Sequence, residues 1–140
     1  MEVDRMHAFI IELKNEPGAL ATVAEAIAEK GIDITGFAGA TCGDSGTVLL
    51  MTNDEAGTQR VLTDRGLTHR SIELVTTAIE TKPGSLAVVA RKLADAGVNV
   101  EAAMATGMSG GNVTIAFATD NPAKARETLG ASSMAGAPSR

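Results

Sequence analysis

The chain has no tryptophan and no tyrosine, and its 140 residues include three phenylalanines and a single cysteine. Few aromatic rings means little for nucleic-acid bases to stack on. The net charge of −5 also lacks the clustered Lys and Arg that phosphate neutralisation needs. Nucleic acid is therefore not an expected partner. Cys42 alone cannot close an intrachain disulfide, which makes the cytoplasm the expected compartment. No apolar run approaches the roughly 20 residues that cross a bilayer. Glu2, Asp4 and Arg5 precede only a short apolar run, unlike a signal peptide, so no membrane partner is expected.

What the chain does have is a duplication. Residues 15–34 read NEPGALATVAEAIAEKGIDI, and residues 81–100 read TKPGSLAVVARKLADAGVNV, 66 positions later. Pro17, Gly18, Leu20, Ala21, Val23, Ala24, Ala28 and Gly31 recur as Pro83, Gly84, Leu86, Ala87, Val89, Ala90, Ala94 and Gly97. That is eight identities in the fifteen ungapped positions 17–31, which marks two copies of a unit of about 65 residues. A unit that small buries only about 60% of its unfolded surface when alone, so the copies are expected to pack together. No flexible linker separates them.

Each copy has its own sequence of elements. Residues 7–14 alternate Phe9, Ile11 and Leu13 against Ile10, Glu12 and Lys14, the period of a half-buried strand. Asn15-Glu16-Pro17-Gly18 breaks it. The helix that follows places Leu20, Val23, Ala24 and Ile27 on one stripe and stops at Gly31. A second strand is expected over 32–41, with Ile32, Ile34 and Phe37 inward. A turn at 42–46 and a third strand at 47–52 come next. Asn53 or Asp54 caps a short helix ending near Gly66, and a fourth strand spans 67–72. In copy two, Val75, Thr77 and Ile79 repeat the first strand, and Leu86, Val89, Ala90 and Leu93 repeat the buried stripe. A hairpin turns around 107–111, and Asn121-Pro122 opens a last helix running to about Leu129. Residues 131–140, ASSMAGAPSR, have no alternation, so the fourth strand of copy two is expected to be short or missing. Both copies read as the α+β, ferredoxin-like order β-α-β-β-α-β with antiparallel strands. The expected domains are 7–73 and 74–132, with a disordered tail at 133–140.

The strand followed by N-x-P-G-x-L-x-x-V-A-x-x-I-A-x-x-G-I-D-I resembles the opening of an ACT domain. T-x-P-G-x-L-x-x-V-A-x-x-L-A-x-x-G-V-N-V resembles it again, and together the copies cover nearly the whole chain. The resemblance implies two ACT repeats packed side by side through their second strands, with the helices on one face. It implies a regulatory sensor of a small molecule, most often an amino acid, acting on a metabolic enzyme. It also implies ligand sites between the copies. One is expected to hold Asn15, Glu16, Pro17, Gly18, Ala19 and Leu20 of the first loop against Asn99 and Val100. The other is expected to hold Thr81, Lys82, Pro83, Gly84, Ser85 and Leu86 against Asp33 and Ile34.

The residue chemistry is compatible with that. The first turn of a helix has unpaired N–H groups and a partial positive charge, and Gly18 or Gly84 lets a carboxylate come close. Asp33 or Asn99 offers acceptors to an α-ammonium, and Asn15 and Thr81 stand polar at the rim. The plainer alternative is that Pro-Gly is a tight turn and Asp33 and Asn99 cap strand starts. His7 and His69 have no partner at metal-ligand spacing, so no metal or other cofactor is expected. Ser45, Ser85 and Ser109 lack an adjacent base, and Cys42 lies near the acidic Asp44, so no nucleophile stands out. GMSGG at 107–111 lacks the Lys of a phosphate loop. The expectation is thus a non-catalytic amino-acid-binding regulatory protein, assembled as a homodimer because the copies leave apolar surface uncovered. Its rivals are an interaction subunit of a metabolic enzyme that binds no ligand, and a small enzyme on the same scaffold.

Overall fold

The structure, a computed structural model, describes residues 6–130. The chain divides into two compact units. Copy one is His7–Ile72, and copy two runs from Glu73 onward and takes in Met6.

Copy one contains β1 (His7–Lys14), α1 (Ala19–Ala28), β2 (Ile34–Cys42), β3 (Ser45–Thr52), α2 (Glu55–Asp64) and the start of β4 (His69–Glu80). Its strand order is β2-β3-β1-β4. In the antiparallel β1–β3 ladder Phe9 stands opposite Leu50, Ile11 opposite Val48 and Leu13 opposite Gly46. Opposed residues share a face. The alternation in both strands therefore gathers Phe9, Ile11, Val48 and Leu50 on one side, where Val23, Ala26 and Ile27 of α1 and Val61 and Leu62 of α2 close the core. Asp54 caps α2 by accepting the Gly57 N–H at 2.9 Å.

The glycine stop after α1 does two jobs. Gly31 has φ 72°, its N–H donates to the Ala28 carbonyl, and the Ile32 N–H donates back to Ile27 at 3.4 Å. That double closure satisfies orphan carbonyls and presses Ile32 onto Ile27, and both side chains lie in the core. The same closure recurs after α3, where Val98 donates to Leu93 at 2.9 Å, and after α2, where Leu67 donates to Leu62 at 3.0 Å. Because Ile32 belongs to the helix closure, β2 starts at Ile34 and not at Ile32. In copy two Val98 takes that place, so β5 starts at Val100.

Copy two contains the rest of β4, α3 (Ser85–Asp95), β5 (Val100–Ser109), β6 (Asn112–Thr119) and α4 (Pro122–Leu129), with strand order β4-β6-β5. Asn121 caps α4 through Lys124 N–H at 3.1 Å, as the Asn-Pro signal implies. The hairpin turn is shorter than expected: β5 continues to Ser109 and Asn112 already pairs with it, leaving Gly110 and Gly111 as the turn. The core is Val75, Leu93, Val98, Phe117 and Ala125.

Three expectations need correcting. The separate strands at 67–72 and 75–79 are one strand, β4, since residues 69–80 contain no glycine or proline to interrupt it. Leu20 and Leu86 are not buried but 49% and 54% exposed, and Ala90 is exposed too, because burial begins one turn further along α1, at Val23, and two turns further along α3, at Leu93. Phe37 shares the core face with Leu50, yet it is 61% exposed. It sits on the outer strand of copy one. The expected fourth strand of copy two and the tail at 133–140 lie outside the described residues. Within copy two, Leu74 N–H donates to the Met6 carbonyl at 2.8 Å.

Candidate ligand-binding site

The Pro-Gly loop of copy one is held against the β2–β3 turn. Asn15 donates its backbone N–H to Asp44 at 3.0 Å and its side-chain amide to Gly43 at 2.9 Å. Between this braced loop and β2 lies a cleft of about 430 Å³. Leu13, Lys14, Asn15, Glu16, Ala19 and Leu20 line it from one side. Phe37, Gly39, Ala40 and Thr41 of β2 line the other, and Gly46, Thr47 and Val48 of β3 complete it. The cleft exists because the core takes only Ile34 from β2, leaving the far part of that strand uncovered, and because Gly39 places no side chain in it, whereas Gly46 lies under the Thr41 side chain. A Cβ on Gly46 would stand 2.9 Å from Thr41 Cγ2. A second hollow, about 500 Å³, flanks the other side of the α1 start and shares Leu13, Lys14, Glu16 and Ala19.

Two sets of polar groups face this region. Thr22 N–H is taken by the Gly18 carbonyl at 2.9 Å, whereas the Leu20 and Ala21 amides have no partner among the described residues, as the first turn of a helix dictates. Lys14 and Glu16 belong to the wall of the cleft, and their side chains have no partner among the described residues.

The other expected residues are placed differently. Pro17 and Gly18 do not line the cleft. Asp33 and Ile34 stand at the opposite end of β2 from Thr41, about 25 Å away at the rise of an extended strand. There Asp33 N–H donates to Asn53 Oδ1 at 2.9 Å and Asn53 N–H returns to the Asp33 carbonyl at 3.1 Å. Copy two repeats that clasp between Asn99 and Asp120, at 3.0 and 3.1 Å. Within its own copy, then, neither Asp33 nor Asn99 is brought to the Pro-Gly loop, and Val100 at the start of β5 stands with Asn99.

In copy two Thr81 N–H is braced by the Gly111 carbonyl at 2.8 Å. Lys82, Pro83, Gly84 and Ser85 line a hollow of about 370 Å³ with Ile79, Glu80, Val88 and Val89, and no residue of β5 or β6 takes part. Thr81 and Leu86 lie outside it. Lys82 Nζ lies 2.9 Å from Glu80. That bond and the Lys82 charge hold the Glu80 carboxyl below its ordinary value and raise Lys82 above its own. The Glu80 contribution is present above the unfolded carboxylate pKa and is lost as pH falls through the folded one. The Lys82 contribution is lost only as pH rises through its raised pKa. Both groups are fully exposed, so the effect on stability is small. Lys82→Ala is expected to return the Glu80 titration to the ordinary carboxylate range in a ¹³C NMR pH series. An unmoved midpoint would mean that the pair does not persist in solution.

The histidines have structural partners. His69 donates Nδ1–H to the Leu67 carbonyl at 2.7 Å and so presents Nε2 as the acceptor for Gln59 at 2.9 Å. His7 meets Glu55 at 3.3 Å. Among the described residues no cluster of three or more His, Cys, Asp or Glu could hold a metal ion, and no helix is long and apolar enough to cross a membrane. Sequence reasoning missed Phe37, Gly39, Thr41 and Gly46 as cleft residues.

Neither a protein-family profile nor a curated protein matches the sequence. Solved structures do match in shape. A protein from Bacteroides thetaiotaomicron superposes with a TM-score of 0.75 at 23% identity, over 91% of this chain and 88% of its own. The regulatory subunit of aspartate kinase from Thermus flavus gives 0.62 at 19%, over 91% and 93%. The ligand-free regulatory subunit of aspartate kinase from Thermus thermophilus gives 0.61 at 16%, over 91% and 92%. At such identities the likeness is one of fold. With the β-α-β-β-α-β plan of copy one, and its repetition through α4 in copy two, it establishes that the chain has the tandem ACT fold.

Proposed function

We propose that the chain is a non-catalytic regulatory protein that binds an amino acid in the cleft at the start of α1, and that a metabolic enzyme reads its occupancy. The observation that carries this is the cleft's composition. An apolar floor of Leu13 and Val48 lies beside a cation, Lys14, and an anion, Glu16, neither of them partnered among the described residues. A zwitterion with a side chain needs those three features together. At about 430 Å³ the cleft falls within the usual range of small-molecule sites. The enzyme partner is an analogy of fold with the aspartate kinase regulatory subunits.

Binding is expected to appear as stabilisation. At a free ligand concentration of 100 times Kd, linkage adds about 2.7 kcal/mol, a rise of roughly several degrees in Tm for a chain of this size. With no tryptophan or tyrosine, the melt is followed by a dye or by calorimetry. A screen of the twenty amino acids at millimolar concentration that moves nothing would favour the second reading, an interaction subunit without a ligand. The exposed Leu20 and Phe37 would then belong to the partner's surface.

A further inference from the structure

The two copies are not equivalent receptors, and strand register shows why. Counting by 66 residues pairs the copies only as far as Ala105, because an irregularity between Ala105 and Gly107 inserts one residue into β5. Through the ladders, Gly39 opposite Val48 corresponds to Ala105 opposite Ile115, and Thr41 opposite Gly46 to Met108 opposite Val113. Phe37 opposite Leu50 corresponds to Ala103 opposite Phe117. Where copy one has Gly39 and Gly46, then, copy two has a methyl and an isopropyl group. The flanking ring of Phe37 is reduced to a methyl, and the hollow of copy two includes nothing from β5 or β6.

Charge separates the copies in the same direction. Lys14 and Glu16 correspond to Glu80 and Lys82, with the signs exchanged. In copy two the pair is joined at 2.9 Å, whereas in copy one neither charge has a partner among the described residues.

Building on the amino-acid reading above, we propose that copy one alone is the receptor, one ligand per chain. The ligand is an amino acid with an apolar, leucine-sized side chain seated over Gly39 against Leu13, Val48 and Phe37. Its carboxylate is set toward Lys14 and its ammonium toward Glu16. Copy two keeps the fold of the site but has its space filled and its charges spent on each other.

Isothermal titration of the full chain tests this, with leucine, isoleucine, valine and methionine set against serine, aspartate and lysine. The expected result is one site per chain and a preference for the apolar group. Gly39→Ala adds a Cβ in ordinary contact, 3.4 Å from the Thr47 carbonyl and 3.5 Å from Val48 Cγ2, and Ala105 already occupies the matching place in copy two. Folding is thus preserved, and leucine affinity is expected to fall about tenfold. Glu16→Lys, the copy-two residue, is expected to cost tenfold or more through the lost charge-assisted bond. Ala105→Gly should leave affinity unchanged. Two sites per chain, a polar amino acid preferred, or Ala105→Gly altering affinity as much as Gly39→Ala would overturn the inference while leaving amino-acid binding standing. If none of the twenty amino acids binds, the functional reading itself falls and this inference with it.

Discussion

Leu93→Ala is expected to be the most damaging single truncation in copy two, costing about 3–4 kcal/mol within the 2–5 kcal/mol usual for a buried leucine. Leu93 is 0% exposed and is the only buried residue of α3, whereas α1 shares its burial among Val23, Ala26 and Ile27. It is also the residue on which the helix closure converges, since its carbonyl accepts from Val98 and its side chain shares the core with Val98. Removing the side chain leaves the hydrogen bond and empties the contact beneath it, with the half-buried Val89, Ala96, Ile115 and Leu129 packed around the cluster. Against a total stability of about 5–15 kcal/mol for a typical domain, that loss is a large fraction. Urea denaturation followed by far-ultraviolet circular dichroism gives the number, and hydrogen exchange should show the lost protection in α3, β5 and β6. A cost below about 1 kcal/mol would mean that α3 is not held by this side chain.

How far these elements are legible in the sequence depends on the range of the interaction that fixes them. The helix stops at Gly31, Gly66 and Gly97 and the caps at Asp54 and Asn121 are local, decided within a few residues, and the sequence shows them. The alternation of Phe9, Ile11 and Leu13 is local too. Burial of Leu20 or Phe37 is not, since it depends on where the opposing element ends. Leu20 has the right period and the right chemistry, yet it overhangs the cleft and not the core. The continuity of β4 was readable in principle from the absence of any glycine or proline in 69–80, but the repeat drew a boundary there first. The clasps between Asp33 and Asn53 and between Asn99 and Asp120 join residues about 20 apart, each by one bond to a side-chain oxygen and one between backbone groups, a long-range pairing that strand and helix periodicity does not reveal. Least legible were the cleft residues of β2 and β3. Gly39 and Gly46 matter through cross-strand register, and register in β2 and β5 is displaced by irregularities that no single-strand pattern shows.

Gly18→Val is expected to destabilise the protein by about 2 kcal/mol and to leave amino-acid affinity within threefold of the wild type. The sequence alone suggests the reverse, a side chain that screens the helix N-terminus and costs at least tenfold in binding. The geometry argues for the backbone. Gly18 caps α1 at φ 90° and ψ −10°, and Gly84 caps α3 at φ 90° and ψ −13°, a region that β-branched residues occupy at a strain of about 1–3 kcal/mol. A Cβ at either position would meet no protein atom within 4 Å, and Gly18 does not line the cleft. The glycine is thus required by the turn from strand to helix in both copies, whether or not the copy binds anything. Gly84→Val should cost a similar amount, and Gly18→Asn, whose side chain tolerates positive φ, should recover part of the loss. Urea denaturation measures the stability of each variant, and titration with leucine at a temperature where the variant remains folded measures its affinity. Stability unchanged in Gly18→Val with binding lost tenfold would put Gly18 in the path of the ligand and the close-approach role back in force.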